Sequence, residues 1–571
     1  MTSAAVALGR SRIAVRPISI SGSHIFGLAS FALYLGLGAY LAFWLHAFHG
    51  DAYSRVANAY YVLFSRDPHL AAMGFVWMPL PSLFELVLLP AKAVFPGLVD
   101  QGFAAVIMSA TFMALAVATL DRILVDLRLG LVARLALVGA FALNPMILYY
   151  GSIGTSEAPT LFFALLACRY LIRYVEAPTT GSLVGVGIAL AGGYLTRYEA
   201  AAAPVGVAAL IVLIALVRVH GTVRERLVHA GADIAIALTP FVLVFVAWAA
   251  ASWLIVGAPF SQFSSDYGNS SMMAVWAAQG ANEIGMALGP SIVLAGVRLT
   301  AISVALPVAL LAAGWALLAR RDWRVLAVGS VIAPMLGFMV LVYVVHIVAP
   351  WLRYFILVIP LAILLVALAV APPAPVAVSN KPVPEAKPAS ARIRIGRLAM
   401  ACSTALLLGV VVASVPVAGA GMLDRTVAVE EARDVGALLA PGASAPERPG
   451  AALRTFAAEW AVAEHLDALN LERGTVLMDV FSGFAIVTHS QNPQQFVITP
   501  DRDFQRVLSD PALFGVRYLL VPSAGGNGIL DAVNRAYPRL ATEETFATEA
   551  ATFPGVGTSS TWTLYEVVQP E

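Results

Sequence analysis

Asp51 opens an amphipathic stretch, HGDAYSRVANAYYVLFSRDPHLAAMGFVWMPLP, in which Arg55, Asn58, Arg66, Asp67 and His69 follow and Trp77 and Pro79 close the run. A carboxylate at such a position can take the proton of an attacking hydroxyl. It can equally cap a helix from residue 52 by accepting its first amide protons. Glu157, in GSIGTSEAPTLFFALL, reads the same two ways. Either it is a second acid, sharing a site with Asp51 as a catalytic pair or as ligands to a divalent cation such as Mg or Mn, or it supplies the favourable negative charge of a first helical turn.

Two basic positions complete the candidate set. Arg197 and Tyr198 precede Glu199 in GGYLTRYEAAAAP, and His346, Arg353 and Tyr354 lie in HIVAPWLRYFILVIP. A guanidinium can grip a phosphate through two parallel hydrogen bonds. The plainer alternatives are a local Arg197–Glu199 pair and an Arg353 that snorkels to lipid headgroups.

The elements that must hold these residues are membrane helices. Of the 571 residues 60% are hydrophobic and 12% charged, about half the charged fraction of a soluble globular domain. Apolar runs of about 20 residues, the length needed to cross about 30 Å of hydrocarbon, recur over the first 420 positions. Eleven spans are expected, near 25–48, 101–121, 132–150, 158–175, 182–198, 200–217, 232–256, 291–318, 325–348, 354–371 and 398–420. The proline-bearing stretch 79–95 is read as an interfacial or re-entrant helix. The first span is too long for a signal-peptide core and stays as an anchor. Cys168 and Cys402 fall in or beside spans, so there is no disulfide framework.

Arginine and lysine collect at alternate loops, around residues 10–16, 122–134, 169–173, 218–226, 320–324 and 381–397. The excess of positive charge on cytoplasmic loops then places residues 1–24 inside the cell and the first loop, 49–100, outside. The bundle occupies 25–371, a Pro- and Ala-rich cytoplasmic linker 372–397, and the last span 398–420. Residues 424–571 form an extracytoplasmic soluble domain. In it an amphipathic helix around 451–470 and β-like runs at 475–480, 495–498, 516–521 and 561–567 predict a small α/β layer. Its polar residues Asp479, His489, Asp501, Arg502 and Asp503 can bind a glycan or, more simply, line a solvated loop. The net charge of +1 gives no patch for nucleic acid, and no dinucleotide fingerprint or P-loop supports a nucleotide-sugar donor.

The order of these motifs carries a resemblance. An acid just after span 1, a proline-bearing apolar helix, an acid followed by LFF at span 4 and an RYF-x4-P element late in the bundle resemble the GT-C superfamily of polyprenyl-phosphate-sugar-dependent membrane glycosyltransferases. Within it the chain looks most like the protein O-mannosyltransferase and aminoarabinose-transferase branch. The resemblance implies a GT-C-like polytopic α-helical fold, with Asp51 as catalytic base and Glu157 as a second acid. Arg197 and Arg353 would hold the lipid phosphate, with Arg55, Tyr198, His346 and Tyr354 beside the donor. It further implies an inverting transfer from a polyprenyl-phosphate sugar to a cell-envelope glycan, lipid or protein. Two departures stand out: Asp51 is followed by Ala52 where the family often has a second acid, and Met78-Pro79-Leu80-Pro81 replaces the usual His-Pro-Pro. A lipid-sugar flippase, or an assembly protein that kept the fold without the activity, are the competing readings.

Overall fold

The computed structural model describes residues 22–278, 286–373, 391–439, 456–540, 542, 546–555 and 560–568. The expected linker 372–397 falls largely outside them, as do most of the cytoplasmic N-terminus and the first five residues of the 451–470 helix. Among the described residues, eight helices are long and apolar enough to cross a membrane: α1 (Gly22–Ala39, continued by a π-helical turn to Trp44), α4 (Phe103–Asp126), α7 (Glu157–Glu176), α9 (Ala203–Arg218, with the turn Tyr198–Ala202 before it), α10 (Val223–Val256), α14 (Arg324–Val344), α15 (Val358–Val370, opened by the turn Leu352–Phe355) and α16 (Ala391–Leu423). The protein is a multi-pass helical membrane protein.

Three of the eleven expected spans are built differently. The 132–150 span is a pair, α5 (Leu131–Ala142) and α6 (Pro145–Ser152), bent by 57°. Pro145 has no amide proton for the helical ladder, and Asn144 ends one helix by capping the next, accepting from the Met146 amide at 3.0 Å. The 291–318 span likewise divides into α12 (Leu288–Ile302) and α13 (Leu306–Ala319), bent by 85°, with Pro307 in the first turn of α13. The 182–198 span is α8 (Thr180–Tyr194), only 15 residues and so about 22 Å long. Ten spans therefore meet the length required if each bent pair counts once. Small residues let the short helix pack closely: a Cβ on Gly187 would strike the Ala237 carbonyl of α10.

Among the described residues, the arginine clusters at 122–134, 169–173 and 320–324 assigned to the inner face are ion-paired at one end of the bundle. Arg134 meets Asp121 at 2.7 Å, Arg169 meets Asp126 at 2.9 Å, and Arg324 meets Asp322 at 2.7 Å and Glu176 at 3.0 Å. Glu157 and Glu176 open and close the same helix, so the candidate residues belong to the opposite end.

At that end α2 (Gly50–Phe64) lies between bundle and C-terminal domain, and its sequence has one face for each. Tyr53, Val56, Tyr60 and Tyr61 are buried in a core shared with Val462, Leu466, Ile486 and Trp562 of the domain. Asp51, Arg55 and Asn58, at intervals of four and three, point the other way, into a cavity. α3 (Leu80–Leu88) follows as the short apolar helix expected before span 2.

The domain has a five-stranded sheet of order β2-β1-β3-β5-β4, formed by β1 (Val476–Met478), β2 (Phe496–Ile498), β3 (Tyr518–Pro522), β4 (Ala547–Phe553) and β5 (Trp562–Val567). β1 pairs in parallel with β2 and β3, and β5 runs antiparallel to β3 and β4. This is the mixed α/β layer expected from the alternation of strands and helical stretches.

Its polar residues have partners within the protein, although the Arg502 side chain stays exposed. Asp501 is buried and accepts from Arg66 Nε at 3.0 Å, while Asp503 takes the other end of the same guanidinium. Arg502 returns the contact by binding Asp67 through its amide and its side chain. The PDRD turn is thus a clamp that holds the domain to the first loop. His489 stacks on Trp460 at 5.2 Å. Asp479 accepts from the Tyr267 hydroxyl at 2.7 Å, from the Thr499 hydroxyl at 3.0 Å and from the amides of Phe481 and Ala532.

Asp531, buried near Asp479, has one oxygen bonded to the amides of Val533 and Asn534 and the other without a partner. Burial and the Asp479 charge push its carboxyl up to about 7. An acid whose folded pKa exceeds its free value of about 4 holds more protons folded than unfolded between the two, so its contribution to stability declines as pH rises through that window. Asp531→Asn keeps the capping oxygen and removes the titration. Between pH 5 and 7.5 the thermal midpoint of the wild type should therefore fall relative to that of Asp531→Asn, measured side by side in detergent; parallel profiles would refute this assignment.

Candidate active site

Each candidate residue is delivered by the end of an element. Asp51 lies in the first turn of α2, behind the N-cap His49, whose Nδ1 accepts the Asp51 amide at 3.2 Å. Glu157 begins α7, Arg197 follows α8, and Arg353 and Tyr354 form the turn that opens α15. α17 (Val429–Leu439), just beyond α16, brings Glu430 and Glu431 to the same place.

These charges alternate in space. Arg353 binds Asp51 Oδ2 at 2.7 Å and Glu430 Oε2 at 3.2 Å, and its Nε is 3.9 Å from Glu157 Oε1. Arg197 binds Glu157 at 2.7 Å and also Glu199. Arg55 donates to the Asp51 carbonyl at 3.0 Å and to the Ser156 hydroxyl at 3.3 Å. Both Arg55 and Arg353 are almost fully buried; the charge of Arg353 is met by carboxylates, as a buried charge requires, while Arg55 is held by neutral oxygens. Aromatic faces complete the packing: Arg55 sits 4.3 Å from the Trp77 ring centre, Arg353 4.2 Å from Trp351, and Arg197 5.3 Å from Tyr354.

Burial alone would raise the Asp51 carboxyl, but Arg353, His49 and Arg55 outweigh it and hold the group well below the usual carboxylate range. His49 is moved up: burial opposes its charge, and Glu430 more than offsets that. Glu431 is pushed up to about 7 by burial and by the adjacent Glu430.

The residues open onto a cavity of about 1130 Å³ between the bundle and the C-terminal domain, large enough for a drug-sized ligand and more. Asp51, Arg55, Arg197, Tyr198, Arg353 and Tyr354 line it. Two expected residues do not. Glu157 stands behind the wall, 1% exposed, and joins Arg197 to Arg353 rather than facing a substrate. His346 is drawn away, its Nε2 2.9 Å from the Met286 carbonyl. Asp51 and Glu157 are both occupied by arginine, and among the described residues no group of three or more His, Cys, Asp or Glu is placed to hold a metal ion.

Sequence reasoning missed His49, Glu430 and Glu431. The signals were present: a histidine in HGD at the mouth of the first span, and two adjacent acids just past the outer end of the last one.

With this geometry in place, the comparison with known proteins is informative. Residues 94–255 match the dolichyl-phosphate-mannose-protein mannosyltransferase family. The matched segment runs from just before α4 to the end of α10 and contains Glu157, Arg197 and Tyr198. Asp51, Arg353 and Glu430 lie outside it and complete the site from both flanks. The GT-C resemblance read from motif order stands beside this match. No curated protein matches the chain. Solved structures to which it is similar include ArnT from Cupriavidus metallidurans bound to undecaprenyl phosphate, at 14% identity, covering 96% of this chain and 98% of that one with a TM-score of 0.49. The mycobacterial arabinofuranosyltransferase AftD matches at 17% identity over 96% and 40%, with a TM-score of 0.44. The Archaeoglobus fulgidus oligosaccharyltransferase AglB, in complex with an inhibitory peptide and a dolichol-phosphate, matches at 10% identity over 95% and 74%, with a TM-score of 0.40.

Proposed function

We propose that the protein is an inverting glycosyltransferase of the cytoplasmic membrane, moving a sugar from a polyprenyl-phosphate donor to a cell-envelope glycan, lipid or protein on the outer face. The observation that carries this reading is the contact between Asp51 and Arg353 on the wall of the large cavity, with Arg197 on the same wall. A base for a hydroxyl and a double grip for a phosphate are thereby within one ligand's reach of each other.

In this reading the donor phosphate enters between Arg353 and Arg197 and displaces part of their carboxylate pairing. Asp51, released from Arg353, accepts the proton of the acceptor hydroxyl as its oxygen forms the new bond to the anomeric carbon. The bond from that carbon to the phosphate oxygen breaks on the opposite side, and its electron pair leaves with the lipid phosphate. The arginines stabilise that growing charge from inside a site shielded from bulk water. Glu157 fixes the spacing of the two guanidinium groups. The arginine-rich end of the bundle would face the cytoplasm, together with the N-terminus, which turns the cavity and the C-terminal domain outward.

The test is transfer from a panel of radiolabelled polyprenyl-phosphate sugars to native envelope extract in membranes containing the protein, with the anomer of the product determined. Transfer with inverted configuration supports the proposal and names the donor. Donor that binds and is never consumed would instead make this a carrier or an inactive relative. Because arginines occupy the carboxylates, excess EDTA should leave the transfer rate unchanged, and a rate that collapses and returns with Mg or Mn would refute that assignment.

A further inference from the structure

Arg353 is held from two sides by neighbouring residues of one short helix. Glu430 Oε2 meets its side-chain Nε at 3.2 Å, while Glu431 Oε1 accepts its backbone amide at 2.9 Å. The same Glu431 oxygen accepts from the Tyr150 hydroxyl at 2.6 Å, and Asp434, one turn on, accepts from Tyr149 at 3.0 Å. α17 is therefore fastened to α6 as well as to the turn that carries Arg353. His49 ties it to a third element: its Nε2 lies 3.2 Å from Glu430 Oε1 while its Nδ1 accepts the amide of Asp51. Since Nδ1 is an acceptor here, the neutral ring carries its proton on Nε2 and donates it to Glu430. Glu430 faces the cavity and Glu431 does not.

We propose that Glu430 is a counter-ion that positions Arg353 and competes with the phosphate for it, and that Glu431 fixes the turn on which Arg353 stands. Resting on the assignment of Arg353 to the lipid phosphate, this adds a regulator of how tightly the phosphate is held. An arginine bound by Asp51 and Glu430 together cannot keep full affinity for an incoming anion, and when the sugar has left, the returning carboxylates help displace the spent lipid phosphate. A second carboxylate thus reaches Arg353 from beyond the last span. It sits on the other side of the same guanidinium.

The sign of the expected effect separates this role from a structural one. Glu430→Gln removes the competing charge without changing the size of the side chain, so free undecaprenyl phosphate should inhibit about tenfold more tightly. The donor KM should fall with it, and kcat should drop as product release slows. Glu430→Asp should restore values close to wild type. A carboxylate that only supports the fold would give unchanged or weaker phosphate inhibition in Glu430→Gln, and that result overturns the proposal. His49→Phe gives a second reading in case Glu430→Gln does not fold: with the Nε2 donor to Glu430 removed, the carboxylate is left to Arg353 alone, so undecaprenyl phosphate should inhibit more weakly, and no shift in a folded His49→Phe protein counts against the network. Arg353→Gln is the control for the underlying assignment. If it leaves undecaprenyl phosphate inhibition untouched, the phosphate grip itself is misassigned; if it abolishes inhibition while Glu430→Gln fails to tighten it, only the counter-ion role is wrong.

Discussion

Replacing Asp51 by Asn should lower kcat by about 10²–10⁴, the usual contribution of a positioned general base, while polyprenyl-phosphate binding is kept or tightened. Asn preserves the size of the side chain and an oxygen for the 2.7 Å contact with Arg353, so the variant should fold. It removes the capacity to accept a proton. It also removes one negative charge from Arg353, which is why affinity should not fall with rate. The pH profiles sharpen the test. In the free enzyme Arg353, His49 and Arg55 overcome burial and hold the Asp51 carboxyl well below its usual range. A base with a depressed pKa stays ionised as pH falls, so kcat/KM, which reports the free enzyme, should show no acid limb from Asp51 in the working range. When the donor phosphate shares Arg353, that depression is relieved, and the acid limb of kcat should lie at higher pH than that of kcat/KM. Steady-state rates of wild type and Asp51→Asn across pH 4.5–8 decide it. An Asn variant with near wild-type turnover would remove Asp51 as the base.

Arg353→Lys should lower kcat/KM by about 10²–10³, comparable to the loss of one oriented donor to a developing negative charge. Lysine keeps the charge but concentrates it at one nitrogen. The guanidinium now reaches Asp51 through one terminal nitrogen and Glu430 through Nε, and an ammonium cannot span both and a phosphate besides. Arg353→Met goes further by leaving buried carboxylates without their cation, a change that costs about 3–5 kcal/mol in other buried pairs. The two variants should part in thermal stability: Lys near wild type, Met well below. Equal loss of stability with little change in turnover would make Arg353 a structural residue.

Much of the site could be read from residue type and sidedness. Asp51, Arg197 and Arg353 stood out because each is a charge at the outer boundary of an apolar span, where it is costly unless used, and all three meet in one cavity. Arg55 was placed beside the donor by the resemblance, and Asn58 was named only as part of the amphipathic run after Asp51. Glu157 was recognised as a charge worth keeping, but its sequence neighbours could not reveal that two arginines would cover it. His346 lies only seven residues before Arg353, yet an intervening left-handed turn, with φ 59° at His346 itself, points it elsewhere. Glu430 and Glu431 escaped because the change in composition after residue 424 marked a new domain, and local composition carries no information about a partner 78 positions earlier in the chain. The PDRD turn was read as solvated for the same reason, its partners Arg66 and Asp67 being more than 400 residues away. Helices lie at most of the eleven expected positions, eight of them singly long and apolar enough to cross a membrane among the described residues. The bends at Asn144-Pro145 and before Pro307 follow from proline chemistry that hydropathy averaging conceals.

Arg353 bonds to a residue 302 positions before it and to another 78 positions after it. At an elongation rate of about 5–20 residues per second, roughly 20–75 s pass between synthesis of the first of these partners and synthesis of the last. During that interval Asp51 is already made while the turn and the helix that orient its arginine are not. A nascent chain therefore lacks the complete set of charges around Arg353 until the helix beyond the final membrane segment has been made.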